Sequence, residues 1–302
     1  MTVQKTYYKD VPAVLVQTQT LQAWILPEDG GKLASLKRKK DGKELLATKP
    51  DPAYGRLAFD GSYVDSECSG FDDMFPTVDP DLPQGSPYPR YPDHGECCRL
   101  PYEASLQSDG VTLSAASRLF PITYTKTVQA CKDQSLRLRY RIENRADKPF
   151  PFLWAGHMML AGEKGMQVFA PFSEDTPTEL MFADPMPEEP EALPRSCLRE
   201  HQPGVGTTYK FYYLEPMPIG DFGVRYPDGS ALHIAVDPQK LPYLGVWLNN
   251  GTFQDGYSIT LEPCSLPFDA PSVAAKRGLT GDIPPNSAFT FEIKIQLKEV
   301  IS

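Results

Sequence analysis

Four histidines are few enough to weigh one at a time. His157 stands in Phe152-Leu153-Trp154-Ala155-Gly156-His157, after an aromatic-rich strand and a small Ala-Gly pair that leaves room beside its ring. With Trp154 so near, it reads equally as core or as a working imidazole. His94 stands in Pro92-Asp93-His94-Gly95-Glu96-Cys97-Cys98. His201 falls in an acidic, proline-rich stretch and reads as an exposed loop residue. His233 falls in an apolar run and reads as a sheet histidine. Glu262 ends Tyr257-Ser258-Ile259-Thr260-Leu261-Glu262, where Ile259 and Leu261 are the apolar positions. With side chains alternating along a strand, the carboxylate faces away from them, and Pro263 ends the pairing. A carboxylate at a strand end beside a loop is a candidate active-site position, and an ordinary surface glutamate fits the same pattern.

The Asp93–Cys98 cluster offers carboxylate, imidazole and thiols, the donor types of a zinc site. Zinc ligands from one segment are normally spaced so that they converge. Adjacent Cys97 and Cys98 would point to opposite faces of a strand. No second Cys-x-x-Cys or His-x-x-x-His completes a set, so no metal is expected. Also missing are the dinucleotide fingerprint, the phosphate loop and the Gly-x-Ser-x-Gly elbow.

The elements that position these groups read as strands. Leu136, Leu138, Tyr140 and Ile142 alternate with Arg137, Arg139, Arg141 and Glu143, and Phe289 to Leu297 alternates likewise with Thr290 to Lys298. Strict period two marks antiparallel strands with one wet face. Val14 and Val16, Leu21 to Ile25, Val111–Leu119, Ile122–Val128, Phe211–Leu214, Leu232–Val236, Leu244–Leu248 and Tyr257–Leu261 are further strands. The 31 prolines and 22 glycines of 302 residues leave little room for helices of three turns. The expectation is an all-β fold, one large antiparallel β-sandwich spanning 1–302 as a single domain. Asp79–Pro92 and Ser173–Gly206 interrupt the strands as long loops, the second a candidate lid. Lys37-Arg38-Lys39-Lys40 reads as a solvated hairpin tip.

A net charge of −9 gives no global basic footprint for nucleic acid. No apolar run is long enough for a membrane helix. The first residues lack a signal-peptide pattern, so reduced thiols and a cytoplasmic location are expected. Oligomeric state is not legible.

Together, several segments resemble the aldose 1-epimerase (galactose mutarotase-like) superfamily. They are Gly70-Phe71-Asp72-Asp73-Met74-Phe75-Pro76-Thr77, Pro92-Asp93-His94-Gly95-Glu96, Leu100-Pro101-Tyr102, Phe152 to His157, Leu244-Gly245-Val246-Trp247-Leu248-Asn249 and Leu261-Glu262-Pro263-Cys264. They occur in the family's order over most of the chain. The resemblance implies a twisted β-sandwich with a sugar cleft and interconversion of the α and β anomers of an aldose. It implies Glu262 as the base on the anomeric hydroxyl and His157 as the acid on the ring oxygen. A histidine titrates near ~6.5 and can return its proton at neutral pH. It further implies substrate contacts from His94, Arg56 and Asp72, with Trp154 or Trp247 offering an apolar face to the sugar ring. The implied partner is a small sugar, and no cofactor is required.

In one respect the chain departs from that pattern. Galactose-type members carry an aspartate before the strand represented here by Lys210–Leu214, and Gly206-Thr207-Thr208-Tyr209-Lys210 has no acid. Lys210 or Arg225 are then candidate contacts to an anionic substituent such as a phosphate. Two other functions fit the residues. One is a non-catalytic sugar-binding or sensor protein. The other is a glycoside hydrolase or lyase, in which Asp72, Asp73, Asp93 or Glu96 would face Glu262 across a cleft.

Overall fold

The computed structural model describes residues 1–188, 201–254 and 256–299. Its strands are, in chain order, β1 (Thr2–Tyr8), β2 (Val11–Gln17), β3 (Leu21–Leu26), β4 (Lys32–Arg38), β5 (Phe71–Met74), β6 (Glu103–Leu106), β7 (Gly110–Ala116), β8 (Ile122–Ala130), β9 (Leu136–Asn144) and β10 (Phe150–Pro151). They continue as β11 (Ala155–Ala161), β12 (Gln167–Phe169), β13 (Thr178–Asp184), β14 (Thr208–Tyr213), β15 (Asp221–Arg225), β16 (Ala231–Val236), β17 (Tyr243–Asn250), β18 (Tyr257–Cys264), β19 (Asp282–Ile283) and β20 (Ser287–Lys298). A ten-stranded sheet runs β1-β2-β3-β4-β5-β11-β18-β17-β14-β13, and an eight-stranded sheet runs β12-β15-β16-β20-β9-β8-β7-β6. The pairings are antiparallel. The only α-helix among the described residues is α1, Pro271–Ala275.

Period-two patterning explains how the layers meet. Leu136, Leu138, Tyr140 and Ile142 of β9 turn inward with Phe291, Ile293 and Ile295 of β20, and Tyr140 stacks on Phe291 with ring centroids 4.5 Å apart. The ten-stranded sheet supplies Met158, Leu160, Phe211, Leu244, Val246, Ile259 and Leu261 to the same core. Burying such side chains supplies most of the favourable free energy of the fold. One ion pair lies inside this layer: Lys126 Nζ is 2.7 Å from Asp73 Oδ2, and Tyr140 donates to Asp73 Oδ1 at 2.9 Å.

Several expectations need correction. Phe152–Trp154 is irregular, and the strand begins at Ala155, so His157 lies within β11 rather than after a strand. The stretch Ser173–Gly206 contains β13, which pairs with β14 as the edge of the large sheet; its part 189–200 lies outside the described residues. Asp79–Pro92 is a loop as expected, tied by a bridge between Asp81 and Tyr91. In the basic run only Lys39 and Lys40 are exposed, while Arg38 is buried against Asp41 and Asp228. Cys97 and Cys98 sit in a short 3-10 turn, not a strand. No described helix is long and apolar enough to cross a membrane.

Candidate active site

Five consecutive strands of the ten-stranded sheet place one row of residues on its outer face. Asp72 of β5 is opposite His157 of β11. His157 lies beside Glu262 of β18, between the Ala155–Cys264 and Met158–Leu261 pairs. Glu262 is opposite Gly245 of β17, and Gly245 is opposite Tyr212 of β14. Directly opposed residues share a face. Their strand neighbours Phe71, Met158, Leu261, Val246 and Phe211 all point into the core between the sheets.

Glu262 is the centre of this row and is fully buried. Its Oε1 lies 3.2 Å from His157 Nε2 without an aligned hydrogen bond. Its Oε2 lies 3.3 Å from Lys210 Nζ and 3.2 Å from the Tyr212 hydroxyl. Lys210 is also 2.6 Å from Asp269 Oδ1, to which Tyr212 donates at 2.9 Å. Burial alone would push the Glu262 carboxyl up; Lys210 and His157 outweigh it and hold it well below the usual range. Burial would likewise lower Lys210, but Asp269 and Glu262 keep it firmly protonated. Glu262 is thus an anion at neutral pH, with one oxygen committed and one turned toward an imidazole.

The glycine in the row is required by close approach. A Cβ on Gly245 would sit 2.6 Å from Tyr212 Cε1. The tyrosine ring lies across that position to reach Glu262 and Asp269. Gly245→Ala should displace the Tyr212 ring, cost about 1–3 kcal/mol by overpacking, and weaken the site. Urea unfolding together with the ligand affinity of the variant checks this.

Above the row is a cavity of about 330 Å³, within the range for small-molecule sites. His157, Lys210, Thr260 and Asp269 belong to its floor, with Asp79, His94 and Tyr63 on loops around it. Trp247, Phe182 and Phe253 form an aromatic wall, with Trp247 and Phe182 stacked at 5.3 Å. His94 is delivered by a turn in which its own φ is 56° and Gly95 follows at φ 70°. A Cβ on Gly95 would lie 2.1 Å from the Phe75 carbonyl oxygen. Buried Arg99 staples this turn, donating from Nε to Gly95 O at 2.9 Å and from Nη1 to Gly61 O at 2.7 Å. His94 Nδ1 is 3.0 Å from Asp93 Oδ2. That contact is not an aligned hydrogen bond, and burial lowers the His94 imidazole despite Asp93, which favours the neutral ring.

Sequence-derived candidates divide as follows. His157, His94 and Trp247 line the cavity, and Glu262 lies directly beneath it, screened by His157 and Lys210. Asp72 lies behind His157, paired with Lys32 at 3.0 Å and accepting from the Tyr63 hydroxyl at 2.9 Å. It is buried and is not among the residues lining the cavity. Trp154 is 1% exposed and packs on Tyr140 and Phe291 between the sheets, so it offers no face to a sugar. Arg56 is exposed and held by Glu28, away from the cavity lining. His201 is fully buried rather than exposed, and burial lowers it to about 4. His233 sits in β16 with Nδ1 3.1 Å from Asp221. Arg225 is on the eight-stranded sheet over the Phe169 ring. Tyr63, Tyr212, Asp79 and Asp269 are site residues that the sequence pattern did not single out. Tyr212 alone carried a signal, as the outward position between Phe211 and Tyr213.

No protein-family model and no curated protein matches the chain. Solved structures do. A candidate aldose 1-epimerase from Escherichia coli K12 is 16% identical, with 98% of this chain and 100% of that one covered at a TM-score of 0.70. A galactose mutarotase-like protein from Clostridium acetobutylicum is 13% identical, with 99% and 98% covered at 0.67. A galactose mutarotase-like protein from Lactobacillus casei is 17% identical, with 95% and 100% covered at 0.65. In its layers, its connectivity and the full length over which it matches these structures, the chain has the galactose mutarotase-like fold.

Proposed function

We propose that the protein is an aldose 1-epimerase-type isomerase that interconverts the anomers of a free sugar. The observation that carries this reading is the 3.2 Å contact of His157 Nε2 with Glu262 Oε1 at the floor of a sugar-sized cavity. Ring opening needs a base on the anomeric hydroxyl and an acid on the ring oxygen, and the two exchange roles on closure. In the resting arrangement the imidazole covers the carboxylate. A sugar whose ring oxygen takes the Nε2 proton draws the imidazole off Oε1 and uncovers the base. His94 hydrogen-bonds a sugar hydroxyl, and Trp247 packs on an apolar sugar face.

A hydrolase is disfavoured because the proposed partner carboxylates are engaged elsewhere. Asp72 serves Lys32 and Tyr63, Asp73 faces Lys126, Asp93 faces His94, and Glu96 is bonded to Ser117 and to backbone amides. The complete burial of Glu262 favours a second reading, a sugar-binding protein without turnover. Polarimetry on fresh α-aldoses separates the two: acceleration by the wild type supports the isomerase, and saturable binding without acceleration supports the binder.

The substrate is expected to be uncharged. Lys210 is the only lysine or arginine among the described lining residues, and Asp269 and Glu262 already match its charge. Asp79 adds a further carboxylate, raised by burial and by Asp269. A phosphate would meet this acidic wall unfavourably. Hexose 6-phosphates should therefore turn over about tenfold or more slowly than the free hexoses, read as initial polarimetric rates at equal concentration.

A further inference from the structure

Among the groups at the site that the mechanism leaves unused is Tyr63. Tyr63 is 1% exposed and touches both histidines of the cavity. Its ring stacks on His94 with centroids 4.1 Å apart and planes 13° apart. Its hydroxyl lies 2.9 Å from Asp72 Oδ2 and 3.3 Å from His157 Nδ1. A phenol has one proton to give. Asp72, ion-paired with Lys32, can only accept, so the proton goes to Asp72. The phenol oxygen can then interact with His157 only as an acceptor, which requires a proton on His157 Nδ1.

We propose that Tyr63 is a positioning residue that, through Asp72 and Lys32, holds the His157 proton on Nδ1 and leaves Nε2 as the nitrogen that gives and regains the catalytic proton. This rests on the reading of His157 as the acid of an anomer-interconverting site. The neutral imidazole formed after proton donation then has its lone pair on Nε2, beside Glu262, ready for the return step. Burial and Asp72 push the Tyr63 phenol well up, so it keeps its own proton through this cycle. The charged and titratable groups around His157 come from every neighbouring element: Lys32 on β4, Asp72 on β5, Glu262 on β18, Lys210 on β14, and His94 and Tyr63 on the loops.

The test is the tautomer of His157, read from imidazole nitrogen shifts of 15N-labelled full-length protein at mildly alkaline pH. With four histidines in the chain, single His→Gln variants assign the signals. The wild type should show the Nδ1–H form. Tyr63→Phe, which keeps the ring on His94, should lose that preference and lower kcat about tenfold or more with KM little changed, the scale of losing a partner that orients a working histidine. In Asp72→Asn the side-chain amide can donate to the phenol oxygen, turning its proton toward His157, and the Nε2–H form should dominate. An Nε2–H wild type, or a tautomer unmoved in Tyr63→Phe, overturns the proposal. If no aldose is turned over, the functional reading fails while the tautomer measurement still decides this one.

Discussion

Glu262→Gln should abolish most anomer interconversion while leaving the protein folded. The substitution keeps the shape of the side chain and removes its charge. General-base catalysis is worth about 10²–10⁴-fold, and a loss on that scale is expected in the polarimetric rate. The fold should tolerate the change because the buried network stays balanced: Lys210 keeps Asp269 at 2.6 Å and Tyr212 keeps its bond to Asp269. Sugar affinity should fall far less than turnover, since the glutamine carbonyl can still accept from the anomeric hydroxyl that the carboxylate would deprotonate. A variant that unfolded readily would mean that Glu262 is chiefly structural.

Lys210→Met should have the largest effect on stability. It leaves Glu262 and Asp269 buried without the cation between them. Breaking a buried charge pair by removing one partner costs about 3–5 kcal/mol. The pH dependence carries a definite sign. In the wild type the Glu262 carboxyl is held below its unfolded value, so its stabilisation is present above that value and is lost as pH falls through the lowered one. In Lys210→Met burial prevails, the folded-state value rises, and the carboxylate becomes a liability at neutral pH that protonation relieves. The gap in urea midpoint between variant and wild type should therefore be widest near neutrality and narrow in acid. A gap independent of pH would show that packing of the lysine stem, not its charge, is what the site needs.

The two predictions concern the part of the site that strand alternation makes legible. Ile259 and Leu261 point Glu262 outward, and the same parity on β11, β14 and β17 gathers His157, Tyr212 and Gly245 on one face. Trp154 precedes β11 in an irregular stretch, so alternation does not place it, and it turns toward Tyr140 and Phe291. Tyr63, Asp79 and Asp269 sit in irregular segments with no period, and only the folded chain brings them to the cavity. Arg56 belongs to such a segment too, and its loop turns it to Glu28 instead. The backbone bonds of Val78 and Asp79 to the Asp269 carbonyl, at 2.9 and 2.7 Å, join loops far apart in the chain, which no local pattern announces.

Proton exchange between His157, Glu262 and a bound sugar is most directly tested by magnetisation transfer between the α and β anomeric protons of a free aldose at equilibrium. With catalytic protein present, saturating one anomeric signal should deplete the other, and Glu262→Gln should return the exchange to the spontaneous rate. Sugar signals that broaden on binding while the anomers fail to exchange would contradict acid–base turnover at this site and identify it as a site for binding alone.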